Sequence, residues 1–252
     1  MSKIKNSQSF QISGSPGVSI GSIEQNLLAT GEREEQRQAP VKILFLAANP
    51  SGTDPLRLDL EARSIEQALL ASGARDRFEL QQSWAVSPAD LQDSLLRYQP
   101  EVVHFSGHGG SAGELALEPF PLSRHLMDSG EQSPPEEAQV QPLAQLVSLA
   151  NGGGIRCVLL NACDSEPLAL ALAEKVDCVI GMTSSIEDSA AIRFSWAFYH
   201  AIGRGESVRK AFDLGCAQAG FAAPSQSQIP RLLALRINPD SIVLLRRERL
   251  GV

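Results

Sequence analysis

EVVHFSGHGG, residues 101–110, and IRCVLLNACDS, residues 155–165, decide how this chain is read. Each begins as a short, nearly continuous apolar run, the pattern of a strand covered on both faces. Each then stops abruptly. The first runs out into a glycine-rich turn holding His108, four residues after His104; the second runs out into Asn161-Ala162-Cys163-Asp164. Ligands of an open parallel sheet bind beyond the carboxyl ends of its strands. If the two strands are neighbours, His108 and Cys163 meet at one edge of the sheet. The thiolate is the nucleophilic form of cysteine, and an adjacent imidazole can take the thiol proton and later return it to a leaving group. Glycines beside the histidine let backbone approach a substrate and aim N–H groups at developing negative charge.

Outward from these stretches, strand and helix signals alternate. VKILFLAA (41–48) reads as a buried strand, and FELQQSWAV (78–86) as a weaker one. Residues 55–72 carry Leu56, Leu60, Ile65, Leu69 and Leu70 at helical spacing. Ser87-Pro88-Ala89-Asp90 opens a helix, with Ser87 as N-cap, Pro88 at the first helical position and Asp90 at the capping-box position. CVIGM (178–182) is a further strand, SAAIRFSWAFYHAI (189–202) a helix apolar on nearly every side, and ESVRKAFDLGCAQAG (206–220) an amphipathic one. RLLALRI (231–237) and SIVLLR (241–246) close the domain as strands. The segment from Gly113 to Gln141 starts like a short hairpin and becomes a Pro-, Glu- and Gln-rich loop over 120–140, mobile or cleaved on this reading. Such alternation predicts an α/β fold around a mostly parallel sheet.

Residues 1–40 differ in kind. SFQISGSPGVSIGSI (9–23) alternates small polar residues with Phe10, Ile12, Val18 and Ile20, a hairpin-like pattern, and GEREEQRQAP (31–40) reads as a charged linker. The main domain is therefore set at 41–252, behind an extension and linker at 1–40. The full chain of 252 residues is long enough for a large core, and 43% hydrophobic with 20% charged residues is the balance of a globular protein. A net charge of -7 with no long basic stretch speaks against phosphate-driven nucleic-acid binding; Arg246, Arg247 and Arg249 read as a solvated terminal run, with a local basic face as the alternative. The chain has no apolar signal core and no run near membrane-spanning length, so it is expected to be cytoplasmic, away from membrane, with Cys157, Cys163, Cys178 and Cys216 as reduced thiols.

HFSGHGG (104–110), VLLNACDS (158–165), VIGM (179–182), an acidic position and FSWAFYHAIGRGESVRKAF (194–212) together resemble the bacterial CHAT family. That family stands in one clan of cysteine peptidases with caspases, metacaspases, gingipains and separase. The resemblance covers about residues 41–245 and implies a caspase-like α/β/α sandwich. It implies His108 as catalytic histidine, Cys163 as nucleophile, and an oxyanion hole from the backbone N–H groups of Gly109 and Cys163. Cys163 stands 55 residues after His108 (163 − 108), near the ~50 of caspases. Asn161 departs from the pattern: metacaspases carry an acid two positions before the nucleophile and caspases a glutamine, so neither substrate preference transfers. Separase-like members place a pocket acid after the next strand; Asp188 is the nearest match and implies a basic P1 residue. The resemblance further implies a regulated endopeptidase in signalling or defence, latent until an activator arrives. It would act on protein substrates without a cofactor. Independently of the resemblance, the hairpin-like pattern in residues 1–40 makes that extension the expected place for a regulatory partner or self-association.

Other readings compete. A caspase-like fold can serve as a non-catalytic module that binds peptides or assembles complexes. Asp188 can be a helix N-terminal acid held by the dipole. A zinc site built on His104, His108 and Cys163 lacks the paired ligands zinc commonly uses, and no metal is expected. His104 reads as a support for the loop, and His125 and His200 as solvent or core residues. A redox sensor at Cys163 has Cys157 as its nearest resolving partner in sequence. Gly152-Gly153-Gly154 precedes its strand instead of coming after it, the wrong order for phosphate binding.

Overall fold

The computed structural model describes residues 39–120, 134–152 and 154–245. The described residues from Pro40 to Leu245 belong to one compact unit. The hairpin-like segment at 9–23, His125 and the C-terminal arginines lie outside the described residues, as does most of the 120–140 loop.

Six strands form one sheet. β1 (Val41–Ala48), β2 (Phe78–Trp84), β3 (Val102–Gly107), β6 (Cys157–Asn161) and β7 (Cys178–Met182) are parallel, and β8 (Pro230–Leu233) joins antiparallel at the edge, in the order β2-β1-β3-β6-β7-β8. Around it lie helices α1 (Leu58–Ala71), α2 (Pro88–Tyr98), α3 (Val140–Ala150), α4 (Glu166–Ala173), α5 (Asp188–Gly203) and α6 (Val208–Ala219). Side chains alternate across the strands. Ile43, Phe45, Leu159 and Ile180 face a core shared with α1, α5 and α6, whereas Leu44, Leu46, Val158 and Val179 face one shared with α2, α3 and α4. This is the α/β/α sandwich expected, and full burial on both faces explains the nearly unbroken apolar runs. Each large apolar side chain removed from water contributes about 1.5–3 kcal/mol, so neither face can be exposed without unfolding the sheet.

The capping box forms as read. Ser87 Oγ accepts from the Asp90 N–H at 3.3 Å and Asp90 Oδ2 accepts from the Ser87 N–H at 3.0 Å. Other boundaries move. α1 buries Leu58, Glu61, Ala62, Ile65, Ala68 and Leu69, while Leu70 is exposed. The hairpin expected after Gly113 is a longer-range pairing, β4 (Leu115–Leu117) against β5 (Glu136–Ala138). α3 and α4 escaped the sequence reading: the Leu168-Ala-Leu170-Ala-Leu172 run of α4 alternates like a strand but is helical, with Leu170 outward. The strand expected over 241–246 is absent from its described part, 241–245. Asn238-Pro239 turns the chain, and the backbone carbonyls of Ile242 and Val243 go to Val208 N–H and Arg156 instead of a ladder. Among the described residues no helix is long and apolar enough to cross a membrane.

Candidate active site

In the sheet order β2-β1-β3-β6, the chain leaves β1 through α1 on one face and goes on from β3 to α3 on the other, which opens a crevice at the strands' carboxyl ends. β3 and β6 are direct neighbours, with Ser106 opposite Asn161 in register. Two residues beyond each of these partners lie His108 and Cys163. The two strand ends are therefore neighbours.

His108 Nε2 lies 2.8 Å from the Asp54 carbonyl oxygen and 3.3 Å from Asn49 Oδ1, both in the segment after β1. A carbonyl oxygen only accepts, so the neutral ring carries its proton on Nε2. That leaves Nδ1 with the lone pair, as the basic nitrogen. The ring is fixed from behind by a loop whose sequence, NPSGTD (49–54), carries no catalytic signature. The turn after it is tight. Gly109 bridges Leu115, Ala116 N–H donates to the His108 carbonyl at 3.0 Å, and Gly110 N–H donates to the Glu114 carbonyl at 2.9 Å.

Gly109 also brings the two loops together. A Cβ there would stand 3.1 Å from the Cys163 carbonyl carbon and 3.3 Å from Ala162 Cβ, and closer still to the Cys163 carbonyl oxygen. Only a glycine tolerates that approach. Cys163 is partly exposed, and its Sγ lies 3.3 Å from Ser185 Oγ in the segment joining β7 to α5. Asp164, next in the chain, has φ +52, so the Cys163 loop turns through a conformation rare for a non-glycine residue. Beneath it, Ser165 Oγ accepts from the Met182 N–H at 3.0 Å and donates to the Leu160 carbonyl at 3.3 Å, tying the loop to β6 and β7. No hydrogen bond joins His108 to Cys163.

The other cysteines are poor nucleophiles. Cys157 and Cys178 face each other in register, fully buried, and hydrogen bonding to Cys157 together with burial holds the Cys178 thiol well above its ordinary range. Burial pushes the Cys216 thiol up to about 12. Among the described residues no cluster of three or more His, Cys, Asp and Glu side chains could hold a metal ion.

Asp188 stands at the start of α5, half-buried, its Oδ2 accepting from the Arg57 N–H at 3.4 Å. Burial raises its carboxyl above the usual aspartate range, the Arg57 N–H works against this, and the Glu61 charge adds to the rise. Asn161 is 5% exposed and points inward: its Nδ2 donates to Glu61 and to Ser195 Oγ at 2.9 Å, while Oδ1 has no partner. Glu61 went unremarked in the sequence, where a single acid in a charged amphipathic helix reads as a solvated position. It is 2% exposed and accepts from His104 Nε2 at 3.0 Å and Ser195 Oγ at 2.7 Å, as well as from Ser106 and Asn161. Burial pushes its carboxyl up, but His104 and the hydroxyl donors outweigh burial and hold it below the ordinary glutamate value. His104 is buried, and its partners lie on helices and not on the loop: Nε2 bonds Glu61 of α1, and Nδ1 lies 3.2 Å from the Tyr199 hydroxyl of α5.

The CHAT domain matches residues 14–228. The chain is 27% identical over 164 residues to a Roc-COR-CHAT protease from an unknown prokaryotic organism, covering 64% of this chain and 15% of that protein. It is 25% identical over 164 residues to a probable protease of Gillisia limnaea, covering 65% of this chain and 27% of that protein. The chain thus spans less than a third of the length of either relative. Among solved structures, the Arg-specific cysteine proteinase gingipain R superposes with a TM-score of 0.55 at 11% identity, over 87% of this chain and 53% of that one. At that identity the likeness is one of fold.

Proposed function

The chain belongs to the CHAT-domain family, and from that premise we propose that it is a cysteine endopeptidase cutting specific protein targets, with Cys163 as nucleophile and His108 as general base. The observation that carries the reading is the contact of the His108 and Cys163 loops at Gly109, with the His108 Nε2 proton tied to the Asp54 carbonyl. Nδ1 takes the Sγ proton as sulfur attacks the scissile carbonyl carbon. The tetrahedral oxyanion accepts from the backbone N–H groups of Gly109 and Cys163, donors of a kind typically worth about 10²–10³ in rate each. The C–N bond breaks as the imidazolium returns the proton to the leaving amine. Water, deprotonated by the same nitrogen, then hydrolyses the thioester.

For specificity, Asp188 is the acid that meets a basic P1 side chain, and Asn161 closes the floor of that pocket. Support comes from the raised Asp188 carboxyl: a carboxylate held at a cost in the free enzyme gains by pairing with a cation. The activity is set in the cytoplasm, in signalling or defence, and under the control of a partner or of self-association through residues 1–40. Loss of control on deleting 1–38 would support this, and unchanged activity and oligomeric state would end it. The decisive test compares new protein N-termini in lysates treated with the wild type, Cys163→Ala and His108→Ala. Termini made by the wild type alone establish proteolysis and display P1 directly.

A second reading, a non-catalytic binding module, is favoured by one observation: Cys163 Sγ touches Ser185, not the His108 ring. Failure of a peptide electrophile to label Cys163 with its partners present would support it over the peptidase.

A further inference from the structure

The Glu61 carboxylate takes no part in the peptidase chemistry, yet it is the most heavily solicited acid among the described residues. It is buried and ionised, and no Arg or Lys pairs with it among those residues. Such a group is weak support for stability, since removing a carboxylate from water costs several kcal/mol that well-packed apolar side chains would not incur. Its donors are placed with a pattern. Ser106 and Asn161 are register partners on β3 and β6, and each stands two residues before a member of the dyad. His104, two residues further back on β3, donates to the same carboxylate, and Ser195 anchors it to α5.

We propose that Glu61 is a positioning residue for the reaction: its carboxylate straps β3 to β6 through Ser106 and Asn161 and so sets the relative depth of His108 and Cys163. The proposal rests on the peptidase reading for its kinetic consequence, not for its geometry. Backbone ladders fix the register of parallel strands, but they stop at Ser106 and Asn161, and the dyad lies on the loops beyond. The strap acts at this last paired position. Oε1 receives His104, Asn161 and Ser195, and Oε2 receives Ser106, so both strand ends are held by one rigid planar group. An acceptor-only carboxylate also dictates the Asn161 amide: Nδ2 must turn toward it, which explains why Oδ1 is left unpaired. A glutamine in its place offers two donors of its own to partners that are donors, and the strap loosens without loss of volume.

The test uses the full chain and Glu61→Gln. A fluorogenic peptide library varied at P1 finds a cleaved sequence, on which kcat and KM are measured. Misplacement of reacting groups by 1 Å costs on the order of 10² in rate, so kcat is expected to fall by about 10–100-fold with KM unchanged. Ser106→Ala alone should lower kcat, and in the Glu61→Gln background it should add little, because both act through one strap. A fall carried by KM, an unchanged kcat, or additive losses would overturn the proposal. Backbone amide shifts give a readout that needs no turnover. Glu61→Gln should move the amides of both Gly109 and Cys163, and Ser106→Ala should reach Cys163 across the strands. If the wild type cleaves no peptide and a peptide electrophile fails to label Cys163 with its partners present, the peptidase reading falls. Labelled or not, without turnover these shifts alone decide the strap: movement in both loops upholds it, stillness in either ends it. Should Glu61→Gln not fold, Ser106→Ala and Ser195→Ala, singly and together, carry the same two measurements.

Discussion

Replacing Gly109 with alanine adds one methyl group at the close contact between the loops that carry His108 and Cys163. The new Cβ would stand 3.1 Å from the Cys163 carbonyl carbon, and closer to the oxygen, against an optimal carbon–carbon separation of about 3.5–4.0 Å. Both neighbours are backbone, so no side-chain rotation relieves the clash, and the loops must part by something on the order of 1 Å. A displacement of that size costs about 10² in rate. It also moves the Gly109 N–H off the oxyanion, for which loss of one donor costs about 10²–10³. The two effects share one displacement and do not multiply fully, so kcat/KM should fall by at least about 100-fold. Overpacking of this kind costs about 1–3 kcal/mol of stability, or a Tm lowered by roughly 2–4 °C per kcal/mol for a unit of this size. Peptide turnover and thermal melting of the same preparation measure both quantities. A Gly109→Ala protein that folds, melts as the wild type does and retains kcat/KM within about three-fold would refute the reasoning, because the loops could not then meet as closely as this geometry requires.

Asp188→Asn should raise KM for substrates with a basic P1 residue and leave neutral P1 residues little changed, as initial rates on paired peptides would show. Because the Asp188 carboxyl is raised in the folded chain, its contribution to stability is full below the ordinary aspartate range and is lost as pH rises through the folded value. The asparagine variant should therefore melt slightly higher than the wild type at pH 7, and that advantage should vanish in acid. Glu61 has the opposite sign: its folded value is lowered, so its stabilisation is present above the ordinary glutamate range and is lost as pH falls through the folded value. Melting curves of Glu61→Gln should have a flatter acid limb than those of the wild type. A small thiol-directed electrophile should add once, at Cys163, because Cys157 and Cys178 are buried and the Cys216 thiol is pushed up to about 12. Peptide mapping by mass spectrometry that finds the adduct elsewhere would contradict this order of accessibility.

Much of the architecture was legible in the residues because its signals are local. A strand covered on both faces must be apolar at successive positions, and VKILFLAA, EVVHFSG and CVLLN each have this property. The capping box at Ser87–Asp90 is likewise a contact between residues three apart. The misreadings arose where burial and pattern part company. α4 alternates Leu and Ala like a strand, but alanine fits either side of a helix, so periodicity was uninformative there. Residues 241–245 are apolar enough for a strand, yet they pack beside the sheet without joining its ladder, their carbonyls taken by Val208 and Arg156.

Local pattern marks the two strand ends that carry His108 and Cys163, because a histidine among glycines and a cysteine after a buried strand stand out without any partner. The order of most strands and helices is legible in the same way. How these residues are held comes from contacts between segments distant in the chain. Asp54 acts through a carbonyl oxygen that every residue possesses, so no side chain advertises it. Glu61 sits on a charged helix where an acid is expected to meet water, and it becomes a buried strap because α1 packs over the ends of β3 and β6. Periodicity reports which face of an element is apolar. Whether a charge on that element meets water or four donors depends on what the rest of the chain brings to it.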